Sequence, residues 1–133
     1  MDWMSWSRVQ RTGNSEMDHG HENLVDLINQ LADGMQQGKT KEYCSNILEQ
    51  FLEHLRIHFA AEERLMESYR YPKAAEHIAL HETLLKDVNS FKASYDASGD
   101  PEFTTLLVIL DNWLTRDITA ADKALADFVA ASA

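Results

Sequence analysis

The chain has 133 residues, a length typical of one domain, and it can bury a hydrophobic core without disulfide bonds or metal ions as staples. Hydrophobic residues make up 44% of it and charged residues 26%, which argues against general disorder. The formal net charge of −10, with no concentrated basic patch, argues against nucleic acids and membrane surfaces as partners. We therefore expect one globular domain over residues 1–133.

The features that report on the cellular compartment favour the cytoplasm. No run of apolar residues approaches the roughly 20 that span a bilayer, and the N-terminus lacks the basic start and apolar stretch of a secretion signal. Cys44 is the only cysteine, so an intrachain disulfide is impossible, as is usual in a reducing compartment. The apolar neighbours of Cys44 favour a small buried side chain over a reactive thiol.

The first part of the chain predicts an irregular arm followed by a helix. Residues 1–17 form the arm, and Trp3 and Trp6 give it two large apolar side chains to dock against a helix. Asp18 is a good N-cap for the first helix, which is predicted to end near Gly38.

Three further helices follow in the pattern of apolar residues spaced by threes and fours. Thr40 can cap the second helix, the Tyr71-Pro72 pair precedes the third, and a turn at residues 99–101 precedes the fourth. Helices of roughly 20 to 30 residues joined by short connections predict an all-α, antiparallel up-down-up-down four-helix bundle.

Polar residues interrupt the apolar stripes of three helices. His21 lies on the inward stripe of the first helix, His58 and Glu62 on that of the second, and His77 and His81 on that of the third. Each pair has the i, i+4 spacing that places two side chains on one face of a helix. The pattern therefore brings four imidazoles and one carboxylate into the core.

Burying these groups is costly, because each unsatisfied polar group costs about 1 to 3 kcal/mol. A bound metal offsets that cost, and imidazole and carboxylate ligands suit iron, zinc or manganese. The fourth helix adds Asp117 and Asp122, which lie about 140° apart around an α-helix, so both cannot point at the bundle axis, although they can flank it.

Other interpretations of these residues remain open. Any one i, i+4 pair on its own is more often a surface pair than a metal site, and a site for a single ion is a further alternative. A bundle with satisfied core histidines and no metal is a structural alternative, which the usual pairing of buried polar atoms disfavours. His19 and His54 fall outside the inward set and fit surface or supporting roles better.

At this point the sequence resembles the bacterial hemerythrins over nearly its whole length. The residues that carry the resemblance are Trp6, Ser7, Gly13, Asp18, His21, Leu24, the run His58-Phe59-Ala60-Ala61-Glu62-Glu63, Met66, Tyr71-Pro72, His77, His81, Trp113-Leu114 and Asp122. The resemblance implies a centre of two non-haem iron ions, bridged by an oxo or hydroxo group and by carboxylates, with dioxygen as the ligand.

The resemblance also implies a role for each residue. His21 and His58 would bind the iron with an open position, His77 and His81 the other iron, and Glu62 and Asp122 would bridge the two. The family has a histidine ligand where this chain has Asp117. An anionic oxygen ligand favours the ferric state, so the substitution predicts rapid autoxidation and places reversible oxygen carriage in doubt.

The expected function is therefore a non-enzymatic, dioxygen-binding or oxygen- and redox-sensing protein. If the chain belongs to a longer protein, a signalling domain is the expected neighbour, because some relatives carry one. The alternative is an enzyme, a di-iron oxidase or peroxidase. Ferritin-like enzymes use Glu-x-x-His pairs, and in this chain that spacing occurs at Glu16 and His19, at a predicted helix start, which disfavours the alternative.

Overall fold

In a computed structural model, which describes residues 11–98 and 103–132, the chain is all-α and forms a four-helix bundle, as predicted. The first three rods are single helices, and the fourth is built from two α-helices with a π-helical segment between them. Their bounds are α1 Ser15–Gln36, α2 Lys41–Ser68, α3 Ala74–Ser98, α4 Phe103–Asn112, the π segment Trp113–Asp122 and α5 Lys123–Ser132.

The start of α1 differs from the sequence prediction. The helix begins at Ser15, and its N-cap is Asn14, whose side-chain oxygen accepts a hydrogen bond of 3.0 Å from the backbone N–H of Met17. Asp18 lies inside the first turn, where its Oδ1 accepts hydrogen bonds of 2.8 Å from both the backbone N–H and the hydroxyl of Thr12. Asp18 is therefore not the N-cap of α1. Its carboxylate instead holds the segment before the helix through the hydrogen bonds from Thr12. The predicted docking of Trp3 and Trp6 and the predicted turn at residues 99–101 lie outside the described residues.

The first connection follows the prediction closely. The helix α1 ends at Gln36, two residues before Gly38, which adopts a left-handed conformation with a φ of 69°. The next residue, Lys39, donates a backbone hydrogen bond of 2.9 Å to the carbonyl of Gly34, which completes a common helix-ending motif. Thr40 then caps α2 by accepting a hydrogen bond from the backbone N–H of Tyr43.

Contacts between the ends of neighbouring helices show that they run antiparallel. Gly34, near the end of α1, lies against Tyr43 and Cys44 at the start of α2. The Ser45 hydroxyl in α2 donates a hydrogen bond of 2.7 Å to the Asp96 carboxylate, near the end of α3. Short connections therefore join α1 to α2 and α2 to α3 as antiparallel neighbours.

The core consists of two apolar clusters on either side of a polar layer. The larger cluster fills the bundle from the α1–α2 connection up to Leu24, Leu55, Leu84 and Ile118. The smaller cluster contains Met17, Met66, Tyr71, Leu125, Ala126 and Val129. Along each rod, the polar residues of the core lie between the members of these clusters, so both ends of the polar layer are closed by apolar side chains. No helix among the described residues is long and apolar enough to cross a membrane.

The fourth rod departs from the continuous α-helix predicted from the sequence. Between Trp113 and Asp122 the backbone forms a π-helix, in which hydrogen bonds connect residues five apart. A π-helix is rare and is often found at functional sites. In this chain it carries both of the aspartates singled out in the fourth helix.

Candidate metal centre

Six of the seven sequence-predicted site residues meet in the polar layer. His21 comes from α1, His58 and Glu62 from α2, His77 and His81 from α3, and Asp122 from the π segment. All six are buried, with exposed fractions between 0% and 8%. They form two overlapping groups whose potential ligand atoms lie within 4.8 Å of one another: His21, His58, Glu62 and Asp122, and Glu62, His77, His81 and Asp122.

The Glu62 carboxylate lies between the two histidine groups. Its Oε2 atom is 2.6 Å from Nε2 of His58 and 3.8 Å from Nε2 of His21. Its Oε1 atom is 2.8 Å from Nε2 of His77 and 3.0 Å from Nε2 of His81. Each carboxylate oxygen therefore serves a different histidine pair.

The Asp122 carboxylate divides its two oxygens in the same way. Its Oδ2 atom is 2.8 Å from Nε2 of His21, and its Oδ1 atom is 2.9 Å from Nε2 of His77. Asp122 thus links α1 to α3 from the fourth rod, as Glu62 links them from α2. All four imidazoles direct Nε2 towards this pair of carboxylates.

The electrostatics of the layer favour positive charge between the two carboxylates. Burial alone would raise the pKa of Glu62, but the imidazoles of His58, His77 and His81 hold that pKa well below its usual range. Burial opposes protonation of His77, yet Asp122 and Glu62 raise the pKa of His77 to about 9. The Glu62 carboxylate therefore remains ionised and attracts a cation, which can be a proton on an imidazole or a metal ion.

One close contact fits metal coordination better than hydrogen bonding. Although His58 Nε2 and Glu62 Oε2 are only 2.6 Å apart, the contact lacks the alignment of a hydrogen bond, and neither atom has a hydrogen-bond partner among the described residues. Buried polar atoms are rarely left unsatisfied. A cation between the two atoms would satisfy both, so the residues present fit a metal ion.

Three neighbouring side chains hold two of the imidazoles, those of His81 and His21, in place. The Phe59 ring stacks on His81 with ring centroids 3.7 Å apart, and His81 Nδ1 lies 3.1 Å from Oε2 of Glu63. Trp113, which is fully buried, packs edge-on against His21 at 6.2 Å between centroids. A hydrogen bond to the outer ring nitrogen and tight packing are the usual means of fixing a metal-binding histidine.

A glycine makes room for His58. Gly20 lies on α1 directly beside the His58 ring, and a Cβ atom built on Gly20 would overlap Nδ1 of His58 and lie 2.8 Å from its Cε1 atom. The close approach of α1 to this ring therefore requires glycine at position 20. Sequence reasoning missed this residue, because nothing local distinguishes it from a glycine tolerated inside a helix.

Asp117 is buried, with an exposed fraction of 3%, but it belongs to neither histidine group. Its Oδ1 atom accepts a hydrogen bond of 2.8 Å from Nε of Arg116, and its Oδ2 atom has no partner among the described residues. Burial raises the pKa of the Asp117 carboxyl, although the Arg116 guanidinium opposes the shift. The expected angle of 140° between Asp117 and Asp122 was wrong, because it assumed an α-helix. In the wider π turn, residues five apart fall near one face, and both side chains are buried.

Comparison with known protein families also points to a cation-binding site. Residues 12–129 match the family model of the hemerythrin HHE cation-binding domain. The chain belongs to the hemerythrin family.

Relatives of this hemerythrin chain are found among bacterial proteins. It is 30% identical to a bacteriohemerythrin of Pseudomonas aeruginosa over 129 residues, which cover 97% of this chain and 83% of the relative. It is 28% identical to a bacteriohemerythrin of Stenotrophomonas maltophilia over 98% of this chain and 84% of the relative. A bacteriohemerythrin of Aquifex aeolicus is 36% identical over 68% of this chain and 66% of the relative. The resemblance seen in the sequence is therefore confirmed.

The two histidines outside the inward set lie on the surface of this hemerythrin domain. His19 and His54 are exposed, and neither belongs to the groups that could hold a metal. With Glu16, Asn23 and Ile57 they line a small hollow of about 150 Å³ next to His58. Their placement agrees with a surface role.

Proposed function

We propose that the chain binds dioxygen, or senses oxygen or redox state, through a carboxylate-bridged pair of non-haem iron ions. The observation that supports this most directly is the division of each carboxylate between two histidine pairs. Oε2 of Glu62 lies 2.6 Å from His58 and its Oε1 lies 2.8 Å from His77, and Asp122 is shared between α1 and α3 in the same way. Two cations bridged by two carboxylates would use all of these atoms.

The proposed ligands follow from the two groups. His21 and His58 would hold one iron, His77 and His81 the other, and Glu62 and Asp122 would bridge them. Asp117 is the proposed further ligand of the second iron, since it stands where the family resemblance has a histidine. Its free Oδ2 atom is the donor available for this role.

The residues around the polar layer would supply a dry pocket. When bound, the iron pair supplies the electrons that reduce dioxygen. Leu24, Leu55, Leu84 and Trp113 are each no more than 1% exposed, and they close one side of the layer. Exclusion of water limits proton entry and the loss of reduced oxygen, which a binding protein must avoid.

The test is a spectroscopic cycle on anaerobically purified protein that contains ferrous iron. Admitting air should produce a visible absorption change. If removing the air reverses the change, the protein binds oxygen, and if the change is permanent and ends in the diferric form, it acts as a redox sensor. An iron-loaded protein whose spectrum does not respond to air would contradict both versions of the proposal.

The alternative function is a di-iron oxidase or peroxidase. One feature favours it, a cleft of about 310 Å³ between α3 and the π segment that is lined by Tyr71, Lys73, His77 and Arg116 among others. A small organic reductant could reach the His77 side of the layer through this cleft. Steady turnover of hydrogen peroxide with such a reductant would support the enzyme, and a single stoichiometric reaction would support the binding protein.

A further inference from the structure

The two oxygens of Asp117 have very different surroundings. Oδ1 accepts a hydrogen bond of 2.8 Å from Nε of Arg116, whose side chain is 43% exposed, whereas Oδ2 is buried and has no partner among the described residues. A buried carboxylate oxygen without a partner costs free energy. A purely structural ion pair would be expected to satisfy both oxygens, so the arrangement indicates that Oδ2 is kept for another partner.

A cleft connects Asp117 with the second histidine group. Arg116, which donates a hydrogen bond to the Asp117 carboxylate, lines the same cleft as His77 of that group. The Arg116 side chain is 43% exposed, whereas Asp117 is buried. The guanidinium thus holds Oδ1 and leaves the buried Oδ2 atom without a partner among the described residues.

We propose that Arg116 positions Asp117 so that a single oxygen, Oδ2, serves the metal held by His77 and His81. This inference rests on the proposed function, and it names the residue that sets how strongly Asp117 acts on the metal. A carboxylate whose charge is shared with a guanidinium donates less electron density than a free one, and it cannot bind with both oxygens. Arg116 therefore limits the preference for ferric iron that Asp117 introduces.

The test is the midpoint potential of the iron centre in four proteins: the parent chain, Arg116→Gln, Asp117→Asn and the double variant. Arg116→Gln should raise the ratio of ferric to ferrous iron at a fixed potential by about tenfold. This change corresponds to a fall in the midpoint potential of about 59 mV for a one-electron couple. In the Asp117→Asn background, Arg116→Gln should lower the midpoint potential by less than a third of that amount. Helical circular dichroism and the iron content of each protein check that the fold and the centre remain.

A matched control removes an equal charge far from the centre. Lys92 forms a 2.7 Å ion pair with Asp96 near the end of α3, at the opposite end of the bundle from His77. Lys92→Gln should leave the potential unchanged.

If Arg116→Gln shifts the midpoint potential equally in the parent chain and in Asp117→Asn, Arg116 acts only through its charge. The positioning role would then be overturned. No shift in either background would overturn it as well. Absence of iron from the parent protein would overturn the proposed function together with this inference, whereas a loaded parent without an Asp117-dependent shift would overturn this inference alone.

Discussion

Replacing Gly20 with alanine should selectively damage the metal position held by His21 and His58. A Cβ at position 20 would overlap Nδ1 of His58, and Cε1 would have to retreat from 2.8 Å to at least the 3.4 Å at which ordinary contacts begin. The ring cannot rotate aside easily, because His58 is 8% exposed and packs against His21 with ring centroids 4.7 Å apart.

The size of this displacement determines the expected loss. Metal–ligand distances tolerate changes of about 0.2 Å, so a ligand forced back by more than half an ångström no longer fits. We expect affinity at this position to fall by about 10- to 100-fold, as when a group that orients a ligand is lost. Metal titration should then show one site close to the parent affinity and one much weaker site.

Gly34→Ala is the matched control on the same helix. A Cβ at position 34 would lie 2.8 Å from Cε1 of Tyr43, but that ring is 44% exposed and can move into solvent. Both variants gain helix propensity of about 1 kcal/mol, so weakened folding is not an expected cause of metal loss. If Gly20→Ala binds two metal ions as tightly as Gly34→Ala does, the close approach of α1 to His58 does not control the site.

Three further predictions concern residues around the layer. Asp117→His should slow autoxidation of the iron-loaded protein, measured by the rate of spectral change in air, and an unchanged or faster rate would exclude a redox-tuning role for the aspartate. Glu63→Gln should weaken metal binding at the His81 position by about tenfold, as measured by metal titration. This is the low end of the range for loss of an orienting carboxylate, because Glu63 is 42% exposed. Asp18→Ala should lower the free energy of unfolding by about 1.5 to 3 kcal/mol, because it removes the charged acceptor of two hydrogen bonds from Thr12. An unchanged denaturation midpoint would show that these hydrogen bonds do not stabilise the fold.

Apolar periodicity predicted the rods of the bundle and the inward direction of most site residues. A stripe spaced by threes and fours must face the core, so a histidine within that stripe, such as His77 or His81, is carried inward with it. The direction of each stripe depends only on the sequence of its own helix and needs no knowledge of the neighbouring helices. The short connections between the helices then predicted that neighbouring helices pack against one another in an antiparallel bundle.

The features that sequence reasoning missed depend on contacts between elements. The start of α1 was misplaced because both Asn14 and Asp18 are good caps. The hydrogen bond from Met17 to Asn14 and those from Thr12 to Asp18 decide between them, and neither can be read from the sequence. The π segment was missed because the apolar spacing before Trp113 fits an α-helix, and a change of hydrogen-bond register leaves no simple mark in the composition. Gly20 matters through a ring on another helix, which its own neighbours in sequence do not reveal.

The central claim is that two carboxylates and four imidazoles hold a pair of metal ions inside the bundle. Native mass spectrometry of the chain, reconstituted anaerobically with ferrous iron, tests it most directly. We expect a dominant species with two iron ions per chain, and we expect Glu62→Gln, which removes one charged bridge, to lose this species. A parent protein that binds one ion or none, or a Glu62→Gln variant that still binds two as tightly as the parent, would contradict the account.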